Sequence, residues 1–222
     1  MADILRIGRE HLATQGAAAL SLRSVARDLG VVSSAIYRYV ASRDELLTLL
    51  VVDAYDELGD TVDRAVDAVD PTEHRERFLA LGRAVRSWAL AEPARYGLLF
   101  GSPVPGYAAP AERTTAPGIR VVLRLARIVE AAHAADVLQD ATGAPSPEDL
   151  REPLDRIRGE FSLTVPDSVL ARGLWAWPVL FGIVSFEVFG QYGTDTFPDY
   201  EVLFEYQLAL LAHTVGFHPT HG

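Results

Sequence analysis

SLRSVARDLGVVSSAIYRYVASRDELL, residues Ser21–Leu47, is the stretch on which the fold turns. It reads as three short helices in quick succession. Ser21 suits an N-cap, and Leu22, Val25, Ala26 and Leu29 form one apolar stripe at helical spacing. Gly30 ends that helix, because a left-handed residue at a helix C-terminus costs least without a Cβ. A second piece is expected from about Ser33 to Tyr39, with Ile36 and Val40 inward. Ser42 caps a third, and Asp44 and Glu45 in its first turn complement the helix dipole. Two helices joined by a tight turn at a glycine form the helix-turn-helix signature. In that motif the second helix lies in the major groove of duplex DNA.

The run Gly30–Leu47, GVVSSAIYRYVASRDELL, resembles the DNA-binding core of TetR-type transcriptional regulators, with Gly30, Val31, Ile36, Tyr37, Tyr39, Ser42, Leu46 and Leu47 matching the usual pattern. Residues Ile4–Gly30 resemble that family's first and second helices. Three positions depart from the pattern. Val32 stands where a polar N-cap is usual, so the cap falls to Ser33 or the helix starts frayed; Val40 replaces a Phe and Arg43 replaces a Lys. The resemblance implies phosphate contacts from Ser21, Tyr37, Tyr39 and Arg43. It also implies a homodimer through the two C-terminal helices and a small-molecule effector held in the C-terminal bundle.

Charge is distributed in keeping with contact to DNA at one end. The net charge is −10, yet residues 1–50 hold six Arg against five acids while the remainder is strongly acidic. Every basic residue is Arg, the side chain best suited to forked contacts with phosphate and guanine. There is no Cys, so neither disulfides nor thiolate metal sites are available and a cytoplasmic location is expected. No apolar run reads as a membrane span, and no membrane partner is expected.

No catalytic set, phosphate loop or dinucleotide fingerprint appears, which argues against an enzyme and against any cofactor. Glu130 and His133 form half of a di-metal motif whose other half is missing, so no metal site is expected. His11 and His133 sit on apolar stripes, where packing is their expected role. His218 and His221 belong to a tail expected to be disordered.

The rest of the chain reads as helix. Residues 2–15 form the first, ended by Gly16. A long helix follows from Arg43 to about Asp70; its acids Asp53, Asp56, Asp60, Asp63, Asp67 and Asp70 mark a solvated face. Pro71 is expected to open the next helix, residues 72–91, and Pro93 a short one through Phe100. Residues 101–118 hold four Pro and three Gly and are expected to be a loop or flap, as are residues 142–149. Helices are expected over 119–140, across the apolar stretch Val169–Tyr192, and from Asp199 to Val215. The fold class is all-α, with a three-helix DNA-binding head at residues 1–47 and a ligand-binding and dimerisation body at residues 48–222. From Trp175 to Phe189 the chain has almost no polar face, and a second copy covering it would bury the surplus.

Candidate DNA-reading residues are Ser33, Ser34, Ala35, Tyr37 and Arg38 on the recognition helix, with Ser21, Arg23, Tyr39 and Arg43 around it. Ser bonds bases or phosphates, the Ala35 methyl suits a thymine methyl, and Arg23 or Arg38 can fork onto guanine. Packing of the head is the other role open to Tyr37 and Tyr39. Candidate ligand residues are Trp88, Tyr96, Phe100, Trp175, Trp177 and Phe181, although an aromatic at helical spacing more often belongs to the core or a dimer seam. Glu187, isolated in the apolar run, suits a polar ligand group, solvent or an Arg partner. The reading is a ligand-responsive repressor that binds a palindromic double-stranded operator as a dimer and is released by a small apolar or aromatic molecule. The alternative is a small-molecule binding protein with a vestigial helix-turn-helix, favoured by the uncapped Val32 and the acidic balance.

Overall fold

A computed structural model describes residues 1–139, 148–193 and 195–218; most of the expected loop at 142–149, and His221, lie outside them. The described residues are helical, with no strand among them. They divide into two compact units, residues 1–60 with 88–120 and residues 61–87 with 121–222.

The first unit holds the head. Helix α1 spans Ala2–Gln15 and ends at Gly16, whose φ of 77° is left-handed. Helix α2, Leu22–Asp28, ends in a Schellman turn: Gly30, at φ 72°, donates to Arg27 O and Val31 donates to Ala26 O. Helix α3 is shorter than its sequence suggests, Ser33–Ile36, and continues as a tight turn in which Arg38 donates to Ala35 O and Tyr39 to Ile36 O. Val32 occupies the N-cap with no side-chain bond, so Ser33 does not take over that role. Ser42 does cap helix α4, Arg43–Asp67, its hydroxyl accepting from Glu45 N at 3.1 Å. Ile4, Ile7, Leu22, Val25, Ile36, Val40, Leu46, Leu47 and Leu50 form one apolar core among these helices. Even the shortened α3 is therefore anchored, by Ile36.

The same unit contains the end of helix α5 (His74–Ala91), helix α6 (Pro93–Phe100) and helix α7 (Ala111–Gly118). Two expectations are corrected here. Pro71 lies in a turn and α5 begins at His74, because the Asp70 carboxylate takes up Thr72 N and Oγ1 instead. Residues 101–118 are not wholly loop: Pro110 precedes a two-turn helix that keeps Pro117 inside it, and Arg113 pairs with Glu45 at 2.7 Å.

The second unit is built on helix α8 (Arg120–Ala134, entering this unit at Val121), helix α9 (Arg151–Phe161), helix α10 (Asp167–Val188) and helix α11 (Tyr200–Val215). Helix α8 ends well before Asp140, as Asp136 turns left-handed at φ 59°. Asp199 caps α11 by accepting from Glu201 N and Val202 N. Gly82 of α5 allows close approach to α11, since a Cβ there would collide with Leu208. Helix α10 keeps Pro178 within it and, by length and composition, is apolar enough to cross a membrane, which corrects the reading of that run. Arg172 and Glu187 interrupt its apolar surface, and Glu187 is forked onto Arg86 by two bonds of 2.7 Å. The tail is placed up to His218: Phe217 packs on Phe78 and the His218 ring meets that of His213.

The acidic stripe of α4 is not simply solvated. Asp53 is paired with Arg9 and Arg95, Asp60 with Arg120, and Asp63 and Asp67 with Arg124. Arginines distant in sequence neutralise it.

Candidate nucleic-acid interface

The Schellman turn and Ser42 cap hold α3 between α2 and α4, so its polar residues face outward. Ser33, Ser34, Arg38, Tyr37 and Tyr39 are exposed and Ala35 is half-buried, while Ile36 beneath them is buried. Ser21, Arg23, Tyr37 and Arg43 converge on one open cleft with Leu20, Leu22, Ala41 and Ser42. Ala35 and Tyr39 open on a different recess, shared with Met1, Asp3, Ile4, Leu29 and Val31. Six of the nine candidates thus line one or other of these two recesses. Among the described residues the side chains of Arg23 and Arg38 have no hydrogen bond or ion pair, so both guanidinium groups are available to a polyanion.

Arg43 differs. Its Nη2 donates to the carbonyls of Ala17 (3.0 Å) and Ala18 (3.2 Å), and Nη1 lies 3.4 Å from Asp44 Oδ1. It ties the start of α4 to the connection before α2 while leaving part of the guanidinium at the cleft. Ser21, at the N-cap of α2, makes no side-chain cap bond, and its hydroxyl remains open to the cleft.

Behind the cleft, His11 of α1 is buried and its Nε2 lies 2.6 Å from Asp28 Oδ2 at the end of α2. That contact holds the Asp28 carboxyl below the usual range, with Arg27 adding to the effect. Arg95 of α6 is also buried, donating to Asp53 Oδ2 (2.9 Å) and Glu57 Oε2 (2.7 Å) of α4. Asp53 in turn binds Arg9 of α1, whose guanidinium is held above its ordinary pKa by that bond. The Trp88 indole N–H donates to Glu57 at 3.2 Å.

The six aromatic ligand candidates are divided between the two units. Trp88, Tyr96 and Phe100 belong to the first unit and Trp175, Trp177 and Phe181 to the second. Trp88 and Tyr96 are buried, and Tyr96 packs on Phe100 with ring centroids 5.1 Å apart. Trp177 packs on Phe181 at 4.3 Å, whereas Trp175 is 46% exposed. An apolar cavity in the second unit is walled by α8, α9 and α10, including Leu125, Val129, Ile157, Phe161, Leu170 and Gly173, and by none of those six rings. Among the described residues no His, Asp or Glu cluster could hold a metal, and Glu130 instead accepts from Thr164 N and Oγ1.

Comparison with known proteins accords with this geometry. Residues 4–50 match the pattern described as bacterial regulatory proteins, tetR family, and residues 78–211 match the tetracyclin repressor-like C-terminal domain. The chain belongs to the TetR family. Curated relatives include HTH-type transcriptional regulators of Mycobacterium tuberculosis (Rv1816) and Mycobacterium bovis (Mb1846). Each is 46% identical over 217 residues, covering 98% of this chain and 92% of the relative. Among solved structures, the regulatory protein SCO4313 superposes with a TM-score of 0.76 at 35% identity, covering 95% of this chain and 93% of that one. PfmR of Thermus thermophilus, a TetR-family regulator, shares the fold at TM-score 0.59 and 16% identity, over 94% and 96% of the two chains. Relatives of this kind are transcriptional regulators, and this TetR-family chain is one by descent, not an enzyme.

Two exposed residues beside the sequence-derived set complete the TetR-family head's surface. Val32 is 71% exposed and Val31 43%, immediately before Ser33 and Ser34. Apolar side chains left bare at the entry to a recognition helix suit thymine methyls. The signal for them in the sequence is the missing polar cap at Val32.

Proposed function

We propose that the protein is a homodimeric, ligand-responsive repressor whose α3 surface enters the major groove of a near-palindromic operator. The observation that carries the reading is the outward set Ser33, Ser34, Tyr37 and Arg38 on a recognition helix anchored by buried Ile36. Ser21, Tyr37, Tyr39 and Arg43 would bind phosphates and set the register; Arg23, Arg38, Ala35 and the serines would read bases. Half-sites are expected about 10 bp, or a multiple, apart. The site of action is the cytoplasm, with the DNA.

Dimerisation is proposed through α10 and α11. Trp175, Phe186, Phe189, Val202, Tyr206 and Leu210 lie exposed on or beside these two helices, an apolar surface that a second copy would cover. The effector is proposed to be a small apolar molecule that shifts the dimer toward a head spacing unable to fit both grooves. The alternative of a vestigial head predicts decay of the reading surface, whereas unpaired Arg23 and Arg38 and exposed Tyr37 remain in place. Gel-shift titration with DNA upstream of the protein's own gene tests the reading. Salt-sensitive, saturable binding supports it, and binding unchanged between low and high salt contradicts it.

A further inference from the structure

We infer that the cavity between α8, α9 and α10 is the effector site and that it takes the aliphatic tail of its ligand, not an aromatic ring system; this rests on the ligand-responsive reading above. All twelve lining residues are Val, Leu, Ala, Ile, Phe or Gly. A hydroxyl, amide or charge carried inside would find no side-chain partner, so only hydrocarbon enters at low cost. The enclosed space is about 60 Å³, roughly four times what a single water requires. That accommodates a few methylenes in line and excludes a fused ring pair.

The cavity is held open from outside. Leu163 and Val165, in the strap between α9 and α10, form part of its wall. The strap's backbone is latched on both flanks. Arg127 donates to Phe161 O (2.9 Å) and Ser162 O (3.3 Å), and Glu130 accepts from Thr164 N (2.8 Å). Arg158 donates to Val165 O (3.0 Å) and is bound to Asp167. Apolar voids close when their walls can relax, and a strap fixed at its backbone cannot follow the walls inward. The same latch sets Arg127 and Arg158 beside the strap, where they can meet a ligand's polar head.

Gly173 offers a position at which the assignment can be tested. It lies within α10, where glycine is the poorest helix former after proline. A Cβ there would meet nothing within 4 Å, so packing inside this chain does not demand glycine. The position is bare and lines the cavity, which makes it the natural place to plug the site.

The test uses the full chain and straight-chain alcohols from butanol to decanol, titrated calorimetrically. Affinity should rise about fourfold per added methylene until the slot is full and then level off. Gly173→Leu should weaken binding at least tenfold, and Val129→Ala, which lengthens the slot, should move the plateau to longer chains. Absence of saturable binding across the series, or equal affinities in wild type and Gly173→Leu, would overturn the assignment. Operator affinity measured in the same alcohols separates the two readings. Gly173-sensitive binding without operator release leaves the cavity as a lipid-tail site and removes the effector role. Operator release that ignores Gly173→Leu removes this cavity as the effector site and leaves the repressor.

Discussion

Replacing Arg95 with Met should be among the most damaging single changes in the first unit. The side chain is nearly inaccessible, and its fork serves Asp53 at 2.9 Å and Glu57 at 2.7 Å. Met preserves most of the apolar stem, so the loss is mainly electrostatic. Orphaning a buried charge costs about 3–5 kcal/mol. Two features place this case at the low end: Asp53 keeps Arg9, and the Glu57 side chain is 39% exposed and can turn to water. The expected loss is therefore about 3 kcal/mol, or roughly 1–1.5 M in the urea midpoint at a slope of about 2–3 kcal/mol/M. Equilibrium unfolding at one fixed protein concentration reads it, since dimerisation would otherwise shift the midpoint. Adding Glu57→Gln should recover part of the loss by removing the uncompensated charge. A midpoint shift below about 0.3 M in the single variant would refute the argument, because it would mean the carboxylates reach water without Arg95.

Other outcomes follow from the same geometry. Arg43→Ala should weaken operator binding and lower the slope of log affinity against log salt by about 0.9 for each phosphate the side chain neutralises; an unchanged slope would leave Arg43 only its link to Ala17 and Ala18. Replacing operator thymines by deoxyuridine should cost wild type about fourfold per contacted methyl and Val32→Ala much less, measured by fluorescence anisotropy. Gly30→Ala should destabilise the head by about 1–2 kcal/mol, because φ 72° is strained for any residue with a Cβ; thermal melting would show it. The Arg83 bond holds the Glu205 carboxyl below its ordinary pKa, and the His11 bond does the same for Asp28. Their contribution is complete above the ordinary carboxylate range of about 4 and is lost as pH falls through the lower folded values, so acid melts should steepen there. Glu205→Gln should flatten the low-pH limb.

What the sequence made legible was local. The α2–α3 turn could be read because Gly30 is the one residue type that takes a left-handed helix end freely, and the start of α4 because Ser42 carries its own cap acceptor. Helix α7 was hidden by counting prolines, although Pro110 precedes a helix as readily as it breaks one. Helix α9 is hard to see in the sequence, since its apolar stripe is only Leu154, Ile157 and Phe161 among charged residues. The aspartates of α4 were visible, but their arginine partners come from tens of residues away and no periodicity announces them. Glu187 was narrowed to three roles, of which pairing with Arg86 is the one observed. The cavity could not be read at all. It is an absence of atoms between three helices, and none of the six candidate aromatic residues lines it.

The central claim is that the exposed face of α3 binds duplex DNA. Selecting fragments of the source genome with the immobilised full-length protein, in parallel with the Tyr37→Ala/Arg43→Ala variant, tests it most directly. The account predicts that wild type enriches a few fragments sharing a near-palindromic sequence, and that the double variant, still folded and dimeric, enriches none of them. Equal recovery of the same fragments by both proteins, or no enrichment by wild type at low salt, would contradict it.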